Sequence, residues 1–580
     1  MKRDEVKNPT KKTIHKMDID DMQFDEDLSM IEDFEFQPDY DAFDYFMDDM
    51  IPEPTPSQPE KERKIRSINV EDSDLKFEKI QNTASQTSGK RRIKKLEITP
   101  EDLEERKKVR KKRRSQNPEI LVVTYLFSAL FILLIGYFVY FNVFVSEDII
   151  NSAYNVRINA LAETMIRGDI VSNDGTILAE TLIDEYGDEV RYYPYGRIFS
   201  HVIGTSEINP SGIELSQNFY LLQSNANPLL NAIKDIRGEK NQGDRVVTTL
   251  DAKLQEVAYN ALGNNDGAVV AIEPSTGKIL AMVSKPDYNP NTLISEYDAI
   301  VSQEGNQSLL NKSTFGLFIP GSIFKSFTAL SYVRSGRNAQ NYSYECEGRI
   351  NLNNSEFITC YNHTVHGYLD FWGSYAYSCN ASFGNIGLEL SVDELTETCE
   401  SLFFNRALPT DIAHKNSQFD LTAEASDWEV AATAIGQGKT QVSPLHMATF
   451  VSAVANGGNL MEPYLVDSVE TADSGRRVKK YLPESYGQVL TTSEASLLGS
   501  LMEDVGSYGT AQPLSGYGYS VAGKTGTAEV SGKGDNSWFI GYAPAEQPEI
   551  AICVLVENDA GYYASALPVA NAILQNYLNR

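Results

Sequence analysis

Ser322 and Lys325 stand three residues apart in Phe318-Ile319-Pro320-Gly321-Ser322-Ile323-Phe324-Lys325. A serine hydroxyl is a weak nucleophile until a base takes its proton. Pro320-Gly321 interrupts the preceding structure, and the pattern Phe324–Val333 predicts a helix that begins here. Ser322 then sits at a helix N-terminus, where backbone N–H groups favour developing negative charge. Lys325 returns to the same face. It can act as base only if burial or neighbouring cations lower its pKa. Taken alone, the pair reads better as a capping serine followed by a surface lysine. Two further polar stretches follow. Ser378-Cys379-Asn380 offers a hydroxyl to relay a proton and an amide to hold both Lys325 and a substrate amide. Lys524-Thr525-Gly526-Thr527 offers a cation and two hydroxyls suited to a carboxylate, with a glycine whose backbone a peptide or the Ser322 helix can approach closely. The N–H groups of Thr527 and Ser322 are candidates for an oxyanion hole.

The elements that must position these groups are legible around them. Gly267–Glu273 and Lys278–Ser284 are apolar strand runs joined by the turn Pro274-Ser275-Thr276-Gly277. Further strands are expected at Tyr519–Ala522, Thr525–Val530, Ser537–Ala543 and Glu549–Val556, with mostly helix and loop between about 325 and 460. Strands at both ends with helices between predict an α/β domain whose one antiparallel sheet is built from distant segments. Upstream, Arg167–Ala179 reads as a hairpin with Asn-Asp-Gly turn chemistry.

The chain has 580 residues, enough for three or four units. No residue from Ile120 to Val145 is charged. That run exceeds the ~20 residues a bilayer core requires. Arg106–Arg114 stands before it and Glu147-Asp148 after it, so the N-terminus is expected in the cytoplasm and the rest outside. The expected layout is a disordered cytoplasmic tail over 1–115, a transmembrane helix over 120–143, a small α+β domain over 146–243 and the α/β domain over 244–580. Asp18–Glu60 contains no Lys or Arg and alternates acidic with aromatic residues, a composition that cannot fold alone but can dock. The net charge is −29, and residues beyond 119 carry 26 basic against 51 acidic side chains, which argues against nucleic acid as a partner. Five cysteines include no Cys-x-x-Cys pair, so zinc and redox readings find little support in the spacing. A Cys346–Cys360 bridge and two reduced thiols both remain open. His363 and His366 are not expected to bind metal, and no metal or other cofactor is expected.

Ser-x-x-Lys, Ser-x-Asn and Lys-Thr-Gly in this order resemble the penicillin-binding protein and serine β-lactamase superfamily, whose motif set they match. Gly243–Leu250, Ile435-Gly436-Gln437-Gly438, Ala455-Asn456-Gly457-Gly458 and Trp538–Pro544 extend the likeness to the transpeptidase domain of membrane-anchored class B penicillin-binding proteins over 244–580. Tyr154–Arg157, Arg167–Ala179 and Tyr192–Gly196 resemble the pedestal of that class. The resemblance implies that Ser322 attacks the D-Ala-D-Ala amide of a peptidoglycan stem peptide, that Ser378 relays a proton, and that Lys524, Thr525 and Thr527 hold the terminal carboxylate. An amine of a neighbouring stem then resolves the acyl-enzyme. Catalytic roles thus fall to Ser322, Lys325, Ser378, Asn380 and Lys524, and substrate binding to Thr525, Gly526 and Thr527. It further implies β-lactams as acylating mimics, lipid-linked precursor strands as donors, and a SEDS-type (RodA/FtsW-like) glycosyltransferase partner, since only about 100 residues separate the membrane from the catalytic domain. Ile323 stands where the family often has Thr. A class A β-lactamase would need a deacylating carboxylate after the Ser-x-Asn motif, and none stands out. A D-Ala-D-Ala carboxypeptidase and a non-catalytic β-lactam sensor or scaffold are the remaining alternatives.

Overall fold

The computed structural model describes residues 99–113, 118–141, 164–352, 356–530, 532, 534–558 and 565–580. The acidic-aromatic stretch lies outside the described residues. Within the expected tail, Pro100–Arg113 forms a helix. Thr99 Oγ1 and the Asp102 carboxylate cap it, with acids in its first turn and bases toward its end, an arrangement that complements the helix dipole. Composition argued for disorder here, and local capping overrides it. Helix Pro118–Tyr140 contains a 20-residue stretch, Leu121–Tyr140, of mean hydropathy 2.4, long and apolar enough to cross a bilayer.

A smaller six-stranded sheet runs in the order Arg477–Lys480, Val466–Glu470, Arg245–Thr248, Ile170–Val171, Ile177–Ile183, Glu189–Tyr192. The hairpin expected at Arg167–Ala179 is present, its turn closed by Ser172 N–H donating to Thr176 O, with Gly175 at φ +86°. Three of the six strands come from beyond residue 243, so the boundary expected there passes through a sheet. Strand pairing over hundreds of residues leaves no mark in local sequence. Glu214, fully buried, is clamped between Arg167 Nε (2.6 Å) and Arg191 Nε (2.7 Å) and also accepts from Tyr193 OH at 3.2 Å. Burial alone would raise its pKa, but the two guanidinium groups outweigh it and hold the carboxyl ionised. Glu214→Leu should therefore cost about 3–5 kcal/mol, because it leaves two arginine charges unpaired in the interior. Urea unfolding of the full chain reads this, and a loss below ~1 kcal/mol would contradict the account.

The larger sheet has five strands, β1 (Gly267–Ile272), β2 (Ile279–Lys285), β3 (Ala522–Ala528), β4 (Asn536–Ala543) and β5 (Ile550–Val556). They lie in the order β3-β4-β5-β1-β2, every pair antiparallel. Strands β1, β2 and β5 are buried end to end, which explains their continuous rather than alternating apolar sequence. The strands expected at Tyr519–Ala522 and Thr525–Val530 are one strand, β3, running through Lys524. Its polar middle hid that continuity. Between β2 and β3 in the chain come helices α1 (Lys325–Arg334), α2 (Asn380–Glu389) and α3 (Pro444–Ala455). Helix α3 packs on β1, β4 and β5, while helices Ala252–Leu262 and Ala566–Leu578 pack on each other and cover β2, β4 and β5. In α1 every residue from Lys325 to Tyr332 is buried, so the helix carrying the first motif is core on all sides.

Candidate active site

The chain around Ser322 is held from two directions. Gly321–Phe324 forms a 3₁₀ turn that runs directly into α1, so Ser322 precedes the α-helix proper by one turn. Gly321 has φ +55°, and a Cβ built on it would stand 2.2 Å from Thr527 O. Gly436, at φ +79°, has no room for a side chain either: its Cβ would lie 1.9 Å from Gly321 O, and Gly321 N–H donates to Gly436 O at 2.8 Å. Gly321 thus lets the Ser322 turn sit against β3, and Gly436 lets a second segment close on that turn. A misplacement of about 1 Å can cost on the order of 10²-fold in rate. Gly321→Ala should therefore slow covalent labelling of Ser322 by about that factor, as stopped-flow or gel kinetics would show. Unchanged kinetics would mean that this close approach is irrelevant to the site.

Behind the nucleophile, Lys325 is fully buried. Its Nζ lies 2.7 Å from both Ser378 O and Asn380 Oδ1, and 3.1 Å from both Ser322 Oγ and Ser378 Oγ. The two nearest oxygens can only accept, so they take N–H groups of the amine. A neutral amine has one lone pair left, and it faces the hydroxyls. Burial pulls the Lys325 pKa down from 10.5 to about 8, against small opposing contributions from Cys379 and Cys360. Asn380 Nδ2 donates to Thr359 O at 2.9 Å, which fixes the amide with Oδ1 toward the lysine. Ser378 is held at φ +55°, a backbone state that costs a β-carbon residue about 1–3 kcal/mol and aims its carbonyl at Lys325.

Lys524, also fully buried, reaches Ser378 Oγ at 3.0 Å and Thr525 O at 3.0 Å. Burial, then repulsion from Lys325, lowers its pKa well below 10.5. Ser378 Oγ thus bridges two buried amines. Along β3 burial alternates: Lys524 and Gly526 turn inward while Thr525 and Thr527 face a groove of about 580 Å³. Gly526 accommodates the Ser322 turn, since its Cβ would lie 3.0 Å from Ile323 Cγ2 and 3.1 Å from Pro320 O. Of the two approaches open from sequence, the structure therefore shows the protein's own turn at this glycine. Lys524 Nζ points at Ser378 and is not among the residues lining the groove, a placement different from direct contact with a carboxylate. Thr510, absent from the motif reading, faces the groove with its Oγ1 2.5 Å from Thr525 Oγ1. It lies in the loop after helix Thr492–Ser507, where Gly509 packs against Ala376 O and nothing but tertiary contact marks it. All eight residues singled out from sequence lie at one place, where β3, α1 and the N-terminus of α2 meet.

A second cluster adjoins this one. Cys346, Cys360, His366 and Cys379 place their ligand atoms within 4.8 Å of one another. Cys346 Sγ lies 3.6 Å from Cys360 Sγ and 3.4 Å from His366 Nδ1, and Cys360 Sγ lies 3.7 Å from Cys379 Sγ. The thiols are unbridged. Three soft donors and one imidazole could hold a tetrahedral divalent ion such as zinc. Ligands 14, 6 and 13 residues apart match no Cys-x-x-Cys spacing, so the group is invisible to a spacing rule. His363 is not part of it.

Residues 267–579 match the family described as the penicillin-binding protein transpeptidase domain. The chain is 28% identical over 449 residues to the peptidoglycan D,D-transpeptidase PbpA of Mycolicibacterium smegmatis, covering 72% of this chain and 89% of that protein. It is 27% identical to the peptidoglycan D,D-transpeptidase MrdA of Acinetobacter baumannii, covering 67% of this chain and 66% of that one. Among solved structures it resembles the D,D-transpeptidase domain of a peptidoglycan glycosyltransferase from Eggerthella lenta (29% identity, TM-score 0.64, 72% of this chain and 99% of that). It also resembles penicillin-binding protein A from M. tuberculosis as its imipenem acyl-enzyme complex (26% identity, TM-score 0.64, 72% and 99%).

Proposed function

Because the chain belongs to the penicillin-binding protein transpeptidase family, we infer that it is a serine D,D-transpeptidase that cross-links peptidoglycan stem peptides through an acyl-enzyme and is acylated by β-lactams. The observation that carries this reading is the junction at Lys325 Nζ, where Ser322, Ser378 and Asn380 converge at 2.7–3.1 Å beneath an open groove.

The chemistry follows from that junction. Neutral Lys325 takes the Ser322 proton as Oγ attacks the carbonyl carbon of the penultimate D-Ala. Negative charge develops on the carbonyl oxygen, between the backbone N–H groups of Ser322 and Thr527, and a donor of this kind is worth about 10²–10³ in rate. The leaving nitrogen collects a proton from Lys325 through Ser378 Oγ, and D-Ala departs. An acceptor amine then gives up its proton by the reverse route and attacks the ester, which forms the new amide and frees Ser322. Strand β3 is a sheet edge, so the stem peptide can lie along it as an added strand. Thr525 and Thr527 hydroxyls meet its terminal carboxylate, while buried Lys524 attracts that charge from behind Ser378.

In this reading the apolar helix anchors the chain with its N-terminus in the cytoplasm, and the smaller sheet is the pedestal of a class B enzyme. A SEDS-type glycosyltransferase supplies the strands, contacting the anchor and pedestal. The test is turnover of a D-Ala-D-Ala stem peptide by the full chain in detergent, with a stem-peptide amine as acceptor. Released D-Ala together with the cross-linked product is the expected result. Release of D-Ala without cross-linking would favour a carboxypeptidase. Labelling by fluorescent penicillin with neither product would favour a sensor.

A further inference from the structure

Helix Pro228–Arg237, which precedes the strand Arg245–Thr248 of the smaller sheet, is attached by the side that helices usually turn to water. At about 3.6 residues per turn, Leu229, Ile233 and Ile236 share one face, with Ala232 and Leu230 at its edges, and Asn231 and Asp235 fall on the opposite side. An amphipathic helix ordinarily buries the first set. Here no residue of the helix is buried, and the apolar side chains stand 68% (Leu229), 48% (Leu230), 37% (Ile233) and 87% (Ile236) exposed. The polar side makes the attachments. Asn231 Nδ2 donates to Ser224 Oγ at 3.2 Å, and the Asp235 carboxylate accepts from Asn241 Nδ2 at 2.7 Å. Both ends are fixed as well. Asn227 Oδ1 accepts from Leu229 N–H at 3.0 Å, Asn227 N–H donates to the Asp473 carboxylate at 3.2 Å, and Gly238, at φ +71°, closes the C-terminus. The apolar stripe thus belongs to a capped helix held in place from behind.

What covers the stripe follows from its chemistry and from its place in the chain. The stripe is Leu, Ile and Ala alone, without the Trp and Tyr anchors that centre most protein interfaces. Fluid hydrocarbon asks for apolar surface and needs no matching shape. Lys234 and Arg237 flank Leu230 at the edge of the stripe, where the phosphates of lipid headgroups would meet them. The tether is the second argument. The chain leaves its bilayer-length helix at Tyr140, and the first strand described after it, Met165–Ile166, pairs in parallel with Asn241–Gln242. Asn241 follows the end of helix Pro228–Arg237 by four residues and is the residue that holds Asp235. The strand pair that receives the chain from the membrane therefore also carries this helix.

We propose that helix Pro228–Arg237 lies along the outer surface of the bilayer, with Leu229, Ile233 and Ile236 among the acyl chains beneath the headgroups, and so fixes the smaller domain against the membrane. An interfacial helix of this kind sinks its apolar face about 5–10 Å into the headgroup–acyl boundary. A single span leaves the body it carries free to swing about the tether. A second contact, made by a helix that the domain holds rigidly, restricts that swing to a few orientations. The groove over Ser322 then stands at a set height above the bilayer. The proposal rests on the anchoring described above, and it goes beyond it by naming the surface of the extracellular body that meets lipid.

The experiment uses the full chain carrying Ile236→Cys or, as reference, Val301→Cys on the catalytic domain; both side chains are exposed, so neither change touches the core. The five native cysteines are buried, and the unsubstituted chain serves as the labelling blank. Each variant is labelled with an environment-sensitive fluorophore and reconstituted into vesicles of phosphatidylethanolamine and phosphatidylglycerol, with or without dibrominated acyl chains. Emission from position 236 should shift to the blue and fall about twofold or more with brominated lipid, while position 301 shows neither change. Water-like emission at 236 in chains that float with the vesicles would overturn the placement of the helix alone. Chains that do not float would overturn the anchor and this proposal with it. A blue shift at 236 that brominated lipid does not quench would put protein over the stripe, either a second copy or residues 142–163, and equal quenching at 236 and 301 would mean adsorption without a preferred face; each overturns the proposal. Leu229→Cys, on the same stripe, repeats the measurement should Ile236→Cys express poorly.

Discussion

Replacing Lys325 by methionine is expected to slow acylation of Ser322 by about 10²–10⁴-fold, the range a positioned general base supplies. The side chain is fully buried, and its amine meets only oxygens of Ser322, Ser378 and Asn380. Methionine fills nearly the same volume without an amine to desolvate, so the fold should tolerate the change and the lost rate can be assigned to chemistry. The pH profile supplies the stricter reading. Lys325 works as base only when neutral, and its pKa is pulled from 10.5 to about 8 by burial. Wild-type acylation should therefore rise about tenfold per pH unit below 8 and level off above it. The methionine variant should lose that ascending limb. If it keeps both the limb and the rate, another group takes the Ser322 proton.

How far the sequence carries this site depends on the kind of information each part needs. The three motifs name their residues because hydroxyl, amine and amide are chemically distinctive at short spacing, and the structure gathers all eight at one place. What decided their geometry was not local. Gly321 and Gly436 act through a backbone approach between segments over a hundred residues apart. Thr510 reaches Thr525 from the end of a helix whose sequence says nothing of it. The four-donor cluster joins a strand end, two loop residues and a helix N-cap, so no spacing rule exposes it. The larger sheet was legible because β1, β2 and β5 are buried on both faces and read as apolar runs. The smaller one was legible only at its hairpin, since its other pairings join Arg245–Thr248 to strands near 170 and 466. β3 was divided in two because Lys524 and Gly526 are inward-facing residues of the site, and a site residue interrupts the apolar pattern that marks a strand.

Lys524→Met should be nearly as damaging as the loss of Lys325, yet for a different reason. Two amines, both fully buried, share one hydroxyl: Ser378 Oγ lies 3.1 Å from Lys325 Nζ and 3.0 Å from Lys524 Nζ. Burial depresses both, and Lys524 is depressed further by Lys325. Two like charges this close in a dry site cannot both persist, so the pair carries at most one proton near neutral pH. Free enzyme can leave that proton on Lys325, where it blocks base catalysis. A carboxylate arriving over Thr525 and Thr527 favours the charge on Lys524 and draws the proton across Ser378, which leaves Lys325 neutral beside Ser322. Without Lys524 the proton has nowhere to go. Acylation by penicillin should fall by about 10²–10³-fold, the scale of one lost electrostatic donor. The ascending limb should stay near pH 8, because burial rather than Lys524 sets the Lys325 pKa. A carboxylate-free β-lactam separates this account from simple loss of binding: wild type should lose its advantage over Lys524→Met with that reagent. An undiminished gap between the two proteins would mean that Lys524 serves Ser322 without reference to the carboxylate.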